Sequence, residues 1–257
     1  ATSGESIMHP FSPGGRVAMV TGCNKGLGQG LAIAVAEAGA DIVGVTRSDA
    51  GETRGRIESL GRSYFGVEAD LAHDAPSEII NEALNAVGQL DTLINNAGTI
   101  RRAPALEFSE EDWDAVVDVN LKAAFFLSQA VARHLVTRRA PGRIVNVASV
   151  LSFQGGIRVP SYTASKSGLL GLTRLLANEW AAHGITVNAI APGYMATDNT
   201  QALRNDSDRS AEILARIPAG RWGTPEDLAG AAIFLCSDAA AYVNGHALTV
   251  DGGWLAR

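Results

Sequence analysis

The chain has 257 residues, a net charge of -6 and 46% hydrophobic residues, which fits one α/β domain with a large buried core. A charged fraction of 19% argues against disorder, and the acidic balance with scattered arginines argues against nucleic acid or an anionic membrane as a partner. No apolar run reaches the ~18 residues that span a bilayer and no signal pattern opens the chain, so we predict a soluble cytoplasmic protein.

The cysteines and the first residues of the chain give two further expectations. Cys23 and Cys236 form no Cys-x-x-Cys pair and share no metal-ligand spacing with the five histidines, so we predict free thiols and no metal site. Residues 1–15 are rich in small and polar residues, Pro and Gly, which predicts a flexible tail before a domain over residues 16–257.

A glycine-rich turn follows the first predicted strand, the apolar run 17–20. Apolar residues recur at helical spacing from Leu31 onward, so the order is strand, turn, helix. The backbone of such a turn approaches a pyrophosphate closely, and the helix N-terminus offers unpaired N–H groups. This context predicts a dinucleotide site, whose candidate contacts are Gly22, Asn24, Lys25, Gly26, Leu27 and Gly28.

The second predicted strand, 41–45, ends where a dinucleotide fold distinguishes its two nicotinamide cofactors. An acidic residue there binds the ribose 2′-hydroxyl of NAD(H), whereas a basic residue suits the 2′-phosphate of NADP(H). The sequence has Arg47 at this point and Lys25 in the glycine turn, and both favour NADP(H). The alternative is that both side chains face solvent.

Three shorter signals lie between the second strand and residue 120. A third short strand is followed by Asp70 and Leu71, and a later apolar run ends in the Asn-Asn-Ala-Gly turn at 95–98. A capping-box signature at Ser109 predicts a helix that runs toward Asn120. A buried Asn competes for backbone hydrogen bonds, so we expect a polar kink there.

The stretch from the fifth predicted strand to the next helix assembles a proton-transfer centre. If Tyr162 opens a helix, Lys166 lies one turn further on the same face. A cation favours the phenolate, so Lys166 is expected to bring the Tyr162 pKa down from its ordinary value near ~10. Ser149 ends the apolar run 143–148, which places its hydroxyl at a strand end beside the helix start. The pattern predicts general acid/base chemistry at Tyr162.

The helix that follows Tyr162 has two distinct faces. Its large apolar residues recur at the spacing of one buried face, and Gly168 and Gly171 form a second, smooth strip. The strip predicts the close approach of another helix. Gly184 is the predicted end of the helix.

The last third of the chain completes the predicted architecture. A strand over 186–191 stops at Pro192 and Gly193, and residues 247–250 form the last strand. Residues from about 195 to 220 are polar, partly helical and lack a strong apolar stripe, which predicts a lid over the substrate. The alternation of strands and helices predicts an α/β fold: a Rossmann-like doubly wound parallel sheet of about seven strands, with helices on both faces, in a single domain.

These motifs, in this order, resemble those of the short-chain dehydrogenase/reductase family over nearly the whole chain from about Arg16 onward. The resemblance implies hydride transfer to or from NAD(H) or NADP(H). It implies that Tyr162 gives a proton to the carbonyl oxygen while Ser149 holds that oxygen. It also implies that Lys166 lowers the Tyr pKa and holds the ribose, and that Asn120 completes a proton relay.

The same resemblance implies further contacts and a quaternary structure. The implied cofactor contacts include Arg47 and the catalytic Tyr162 and Lys166, together with Asp70, Leu71, Asn96, Ala97, Gly98, Pro192, Gly193 and Thr197. The family packs the helices after Asn120 and Tyr162 against neighbouring subunits, so a homo-oligomer is expected, with a tetramer favoured.

Five runs resemble, more closely, a branch of the family that acts on keto or hydroxy sugar acids in uronate and pectin breakdown; they are 105–109, 151–160, 193–197, 216–223 and 252–257. That branch usually takes NAD(H), whereas Lys25 and Arg47 favour NADP(H). The choice between the two cofactors therefore stays open. Bidentate Arg suits the carboxylate of such a substrate. The candidate substrate contacts are Arg101, Arg102, Gln154, Arg158 and Tyr194. For each arginine, a solvated position or an ion pair at a subunit interface is the alternative.

Two other functions remain open at this point. Another short-chain reductase, for instance one that acts on 3-oxoacyl thioesters, would keep the same catalytic residues. A cofactor-binding regulator without catalysis is a further alternative. The intact set of Asn120, Ser149, Tyr162 and Lys166 argues against it, because a binder needs no proton relay.

Overall fold

A computed structural model describes residues 10–257, and a seven-stranded parallel sheet runs through their centre. In chain order the strands are β1 (Val17–Thr21), β2 (Asp41–Thr46), β3 (Tyr64–Glu68), β4 (Thr92–Asn95), β5 (Gly142–Val147), β6 (Ile185–Pro192) and β7 (Ala247–Val250). Their spatial order is β3-β2-β1-β4-β5-β6-β7, so the predicted doubly wound sheet is confirmed. The order reverses between β1 and β4, and ligands bind outside the carboxyl ends of the strands at such a point.

Helices cover both faces of this sheet. In chain order they are α1 (Gly26–Glu37), α2 (Gly51–Ser59), α3 (Pro76–Val87), α4 (Glu110–Val117), α5 (Ala124–Arg138), α6 (Pro160–Trp180), α7 (Gln201–Asn205), α8 (Ser207–Arg216) and α9 (Ala229–Cys236). A π-helical turn over Asp118–Ala123 joins α4 to α5, so the two form one continuous helix. The predicted kink at Asn120 is therefore a π turn, and the helix continues through it.

The two faces of the sheet bury separate cores. Val20 faces one side and packs in a cluster with Leu31 of α1, whereas Met19 faces the other side and packs in a cluster with Leu127 of α5. All four side chains are fully buried. This alternation follows from the two-residue period of a strand that is covered on both faces.

The helix Glu110–Arg138 is long and apolar enough to cross a membrane by length and composition alone. Leu127, Val131 and Leu135 along it are fully buried within the core that lies on one face of the sheet. A core helix of a folded domain passes the same test, and no other helix within residues 10–257 does.

Residues 195–220 contain a short apolar contact, at helix α8, that was not predicted from the sequence. Ile213 and Ile217 lie four residues apart, and both are buried in a small third core with Val150 and Trp254. Polar neighbours on the other faces of this short helix hid the pair in the sequence. Residues 195–220 are thus held to the rest of the domain by these apolar contacts. That the segment moves as a lid stays a prediction.

Part of the predicted flexible tail is fastened to the domain. The Ser12 hydroxyl donates a hydrogen bond to the Ala38 carbonyl at 2.9 Å. The Pro10 carbonyl accepts one from the Ala239 N–H, also at 2.9 Å. The rest of the predicted tail, residues 1–9, lies outside the described residues.

At Gly168 the smooth strip on α6 approaches another helix, as predicted, and that helix belongs to the same chain. A Cβ on Gly168 would lie 3.1 Å from the Leu121 side chain, so this glycine lets α6 approach the π turn of its own chain. A Cβ on Gly171 would meet nothing within 4 Å. Within this chain, a side chain at Gly168 would crowd Leu121, whereas one at Gly171 would have space.

Candidate active site

A cavity of about 1020 Å³ lies at the carboxyl edge of the sheet, where the strand order reverses. Its wall is built from segments that follow each of the strands β1 to β6. Every residue that the sequence predicts as a cofactor contact lines it, as do Ser149 and Arg101. Five other predicted site residues are not part of this wall: Asn120, Arg102, Gln154, Arg158 and Tyr194.

The glycine turn forms a cradle in which the backbone itself is the binding surface. Gly22 and Gly26 have φ angles of 67° and 57°, which only glycine adopts readily. A Cβ on Gly28 would lie 2.7 Å from the Gly22 carbonyl carbon, so no side chain fits between the turn and α1. The N-terminus of α1 opens into this cradle with unpaired N–H groups, an arrangement that suits the pyrophosphate of a dinucleotide.

The Asn-Asn-Ala-Gly turn is locked against the glycine turn. The Thr21 hydroxyl oxygen accepts hydrogen bonds from the Asn96 and Ala97 N–H groups at 3.0 and 2.9 Å. The Asn96 amide donates to the Thr21 carbonyl at 2.9 Å. Asn95 points away from the cavity and donates to Asn146 at 2.9 Å, which ties β4 to β5. Asn95 therefore supports the site from the core.

No acidic residue stands at the end of β2, where Thr46, Arg47 and Ser48 line the cavity. Arg47 lies 3.8 Å from the Asp70 carboxylate, which itself accepts a hydrogen bond from the backbone. That backbone hydrogen bond, from the Ala72 N–H, is the main cause that holds the pKa of Asp70 below its ordinary value. Because a basic residue stands here in place of an acidic one, this end of the cavity can accept a 2′-phosphate.

Lys25 points across the cavity rather than toward Arg47. Its ammonium lies 2.7 Å from the carboxylate of Asp198, in the segment after β6. Both residues line the cavity. No sequence pattern predicts this pairing, because the partners are 173 positions apart.

The tyrosine, lysine and serine of the predicted proton-transfer centre come together at the start of α6. The helix begins at Pro160, so Tyr162 lies in its first turn, and the Lys166 ammonium is 5.7 Å from the centre of the Tyr162 ring. The Lys166 ammonium donates to the Val147 carbonyl at 2.6 Å. Ser149 follows β5 directly, and its hydroxyl oxygen accepts from the Leu151 N–H at 3.1 Å.

The prediction that Lys166 lowers the pKa of Tyr162 is wrong in this structure. Burial raises the pKa of Tyr162, and a hydrogen bond with Ser149 and the charge of Arg102 only partly oppose that rise. The Lys166 ammonium is directed at the Val147 carbonyl, and burial lowers its own pKa to about 8. Spacing along a helix indicates a shared face but not where the charge points.

Asn120 is buried in the π turn and holds the loop that follows β4. Its amide oxygen accepts from the Thr99 N–H at 2.8 Å, and its amide nitrogen donates to the Thr99 carbonyl at 3.0 Å. The same nitrogen lies 3.3 Å from the Ser165 hydroxyl on α6. Asn120 thus connects the cavity wall at Thr99 to the helix that carries Tyr162. Single π turns occur frequently at functional sites.

The two arginines after the Asn-Asn-Ala-Gly turn differ in their partners. Arg101 lines the cavity, but its guanidinium lies 3.2 Å from Asp112 and also donates to Thr99. Arg102 donates to the Asn199 carbonyl at 3.0 Å, and Asn199 lines the cavity. Arg102 therefore spans from one wall of the cavity to the segment that follows β6.

The other predicted substrate contacts lie farther from the cavity. The Gln154 side chain accepts a hydrogen bond from Arg216 at 3.1 Å. Arg158 is exposed, with a φ of 63°, and its carbonyl accepts from the Ala103 N–H. The Tyr194 ring packs on Trp254 with a centroid distance of 4.6 Å, as part of the apolar cluster beneath α8.

An acidic face of α4 that the sequence did not single out also lines the cavity. Glu111, Asp114 and Asp118 are spaced by three and four residues, so they share one face of the helix. That spacing was the available signal. Among residues 10–257, no group of three or more His, Cys, Asp or Glu side chains is placed to hold a metal ion. Cys23 and Cys236 are free thiols, as predicted.

Buried Lys166 gives the protein a pH-dependent stability whose sign is fixed. Because the Lys166 pKa falls from 10.5 to about 8 on folding, the unfolded chain binds more protons between these values, and stability rises with pH. Relative to Lys166→Met, we expect the wild-type free energy of unfolding to increase by about 2 kcal/mol between pH 7.5 and 9.5. Urea denaturation of both proteins measures this. A difference that is flat or falls with pH would contradict it.

Comparison with known proteins agrees with the motifs and the cavity. The family model described as Enoyl-(Acyl carrier protein) reductase matches residues 22–255. A 2-dehydro-3-deoxy-D-gluconate 5-dehydrogenase of Escherichia coli strain K12 is 58% identical over 252 residues, which cover 98% of this chain and 100% of the relative.

Two solved structures extend this comparison to three dimensions. One, provisionally named a 2-deoxy-D-gluconate 3-dehydrogenase, comes from Agrobacterium tumefaciens with bound NADP; it is 57% identical, with a TM-score of 0.92 over 97% of this chain and 100% of that chain. The other is a gluconate 5-dehydrogenase from Burkholderia cenocepacia J2315 in complex with NADP and tartrate, 40% identical, with a TM-score of 0.93 over 97% of this chain and 99% of that chain. With its glycine cradle, its tyrosine and lysine centre and these matches over nearly its full length, this chain belongs to the short-chain dehydrogenase/reductase family.

Proposed function

We propose that this protein transfers a hydride between NAD(H) or NADP(H) and a keto or hydroxy sugar acid, with 2-dehydro-3-deoxy-D-gluconate or 2-deoxy-D-gluconate as the favoured substrate. The substrate class rests on one observation: over 98% of its length, the chain is 58% identical in sequence to a dehydrogenase named for such an acid. The glycine cradle and the cavity support the use of a dinucleotide.

The nicotinamide ring, when bound, supplies the hydride chemistry. Tyr162 is the proposed proton donor in the direction of reduction. Its raised pKa keeps the hydroxyl protonated at neutral pH, so a proton is available for the carbonyl oxygen of the substrate. Ser149 hydrogen-bonds Tyr162, and we assign it to hold the same substrate oxygen. Oxidation reverses these roles.

Lys166 and Asn120 are proposed to support this pair in different ways. With a pKa of about 8, the Lys166 side chain is mostly charged at neutral pH and still able to exchange a proton, which suits a relay at the base of the site. Asn120 is a positioning residue, because it holds Thr99 at the cavity wall and Ser165 on α6. The relay at Asn120 and the ribose contact of Lys166, which the family resemblance implies, stay predictions.

Arg102 is the proposed anchor of the substrate carboxylate among the three candidates. Its guanidinium reaches Asn199 in the cavity wall, and its charge partly opposes the rise in the pKa of Tyr162. Arg101 is already paired with Asp112, and Arg158 contacts Ala103, which is not part of the cavity wall. A guanidinium at the cavity wall suits the carboxylate of a sugar acid, which it can bind with two hydrogen bonds.

Arg102→Met is expected to raise the KM for the sugar acid about 10- to 100-fold, since a hydrogen bond to a charged group contributes about 1.5–3 kcal/mol. The kcat should change less, through the lost charge near Tyr162. Steady-state kinetics measures both constants. Arg158→Met is the matched control and should leave the KM unchanged. An unchanged KM in Arg102→Met, or an equal rise for an uncharged carbonyl substrate, would refute the assignment.

The competing function is reduction of a 3-oxoacyl thioester on the same catalytic residues. The two are separated by kcat/KM for a sugar acid and for a 3-oxoacyl thioester, measured with the same enzyme and cofactor. We expect the sugar acid to exceed the thioester by at least about tenfold, which corresponds to the ~1.4 kcal/mol of one charge-assisted contact. A preference for the thioester would overturn the proposed substrate class.

We also propose a cytoplasmic homo-oligomer, with a tetramer favoured. Phe126 on α5 and Leu175 on α6 are both more than two fifths exposed. Large apolar side chains on neighbouring helices are suited to contact with another copy of the chain. Light scattering coupled to gel filtration gives the assembly mass, and a monomer at micromolar concentration would contradict this part of the proposal.

A further inference from the structure

An ion pair bridges the two sides of the cofactor cavity. Lys25 caps the N-terminus of α1 at the glycine cradle, and Asp198 opens the segment that leads into α7 and α8. Their charged atoms are 2.7 Å apart, although both side chains are about 70% exposed. The hydrogen bond from Lys25 is the main cause that holds the pKa of Asp198 below its ordinary value, so the carboxylate is charged at neutral pH.

Lys25 also lies next to a residue that contacts the end of the cavity where the sequence predicts a 2′-phosphate. Asn24, its neighbour in the chain, donates to the Ser48 hydroxyl at 3.0 Å, which fixes the glycine turn next to the end of β2. Arg47 follows β2 there, with its guanidinium largely exposed. The long and flexible side chain of Lys25 can turn either toward this end of the cavity or toward Asp198. It cannot do both.

We propose that Asp198 is a specificity-determining residue for the nicotinamide cofactor: by drawing the Lys25 ammonium across the cavity, it weakens binding of the 2′-phosphate and moves the preference toward NAD(H). Asp198 acts through Lys25 and needs no contact with the cofactor. Arg47 remains as the cation of the 2′-phosphate site, so NADP(H) binding is weakened and not abolished. The proposal depends on dinucleotide binding and is independent of the sugar-acid substrate.

The direct test uses probes that lack the nicotinamide and therefore report no catalysis. Adenosine 2′,5′-bisphosphate carries the 2′-phosphate, and adenosine 5′-monophosphate does not. In Asp198→Asn, calorimetry should show about two- to fivefold tighter binding of the bisphosphate, the range expected when an exposed ion pair is released. Binding of the monophosphate should stay within the error of the measurement.

Two further variants separate the role of Lys25 from the simple loss of a negative charge. In a Lys25→Met background, Asp198→Asn should have no effect on bisphosphate binding. Asp208→Asn removes another exposed carboxylate from the same segment, on α8, and should leave the ratio of the two probes unchanged. The proposal is overturned if Asp198→Asn leaves that ratio unchanged, if its effect persists without Lys25, or if Asp208→Asn has an equal effect.

Full-length cofactors extend the test to the enzyme. The fluorescence of NADPH and NADH reports their binding to each variant, and Asp198→Asn should increase the affinity for NADPH alone. This result is expected whichever carbonyl compound the enzyme turns over, so failure of the sugar-acid assignment leaves it unaffected. A gain in affinity that is equal for NADH and NADPH would show a general opening of the cavity and would contradict the proposal.

Discussion

Tyr162→Phe is expected to lower kcat by on the order of 10³-fold, with cofactor affinity within about twofold of wild type. The substitution removes one hydroxyl and keeps the ring that packs at the start of α6. Positioned proton transfer contributes about 10²- to 10⁴-fold to catalysis, and Ser149 alone cannot replace it, because an alcohol hydroxyl is a weaker acid than a phenol. Stopped-flow turnover and NAD(P)H fluorescence measure the two quantities separately.

Tyr242→Phe is the matched control, since the Tyr242 side chain is fully exposed and lies far from this chemistry. It should retain full activity. If Tyr162→Phe turned over at more than about a tenth of the wild-type rate, another group would have to supply the proton. If wild type bound cofactor but reduced no carbonyl compound, the protein would be a cofactor-binding regulator, the alternative left open by the sequence.

Gly28→Ala is expected to weaken cofactor binding more than about 100-fold and to destabilise the fold by about 3 kcal/mol. The added Cβ would overlap the carbonyl group of Gly22 and the amide of Asn96, and neither has room to shift. Gly22 is held by the Asn96 amide, which is itself locked to Thr21. The glycine turn and α1 would therefore separate, and the cradle for the pyrophosphate would be lost.

Gly55→Ala provides the contrast, because a Cβ on this exposed glycine of α2 would meet nothing within 4 Å. It should stabilise the protein by about 0.5–1 kcal/mol through helix propensity alone. Urea denaturation gives both free energies, and fluorescence titration gives the affinities. Wild-type cofactor affinity in Gly28→Ala would show that the glycine turn does not carry the dinucleotide.

Local chemistry explains why the sheet and the cofactor cradle could be predicted from sequence. Part of the need for glycine in this turn is local, because Gly22 has a positive φ and a Cβ on Gly28 would overlap the Gly22 carbonyl group. The strands are recognisable as short apolar runs because, as in β1, their side chains are buried on both faces of the sheet. Such signals lie within one element, so the sequence contains them in full.

The features that escaped prediction depend on contacts between distant segments. The pairing of Lys25 with Asp198 is set by how the segment after β6 folds over the glycine turn. The direction of the Lys166 ammonium depends on the position of the Val147 carbonyl on a neighbouring strand. The burial of Ile213 depends on Trp254, which lies in a separate segment near the C-terminus. No local pattern encodes these distances.

The central claim, a nicotinamide-dependent dehydrogenase of a sugar acid, is tested most directly by one initial-rate measurement. Wild-type protein is given 2-dehydro-3-deoxy-D-gluconate with NAD and, separately, with NADP, and reduced cofactor is followed by absorbance. We predict steady turnover with at least one cofactor, and no turnover above background in Tyr162→Phe. The absence of turnover with both cofactors, from protein that binds NAD(P)H, would contradict the proposed substrate.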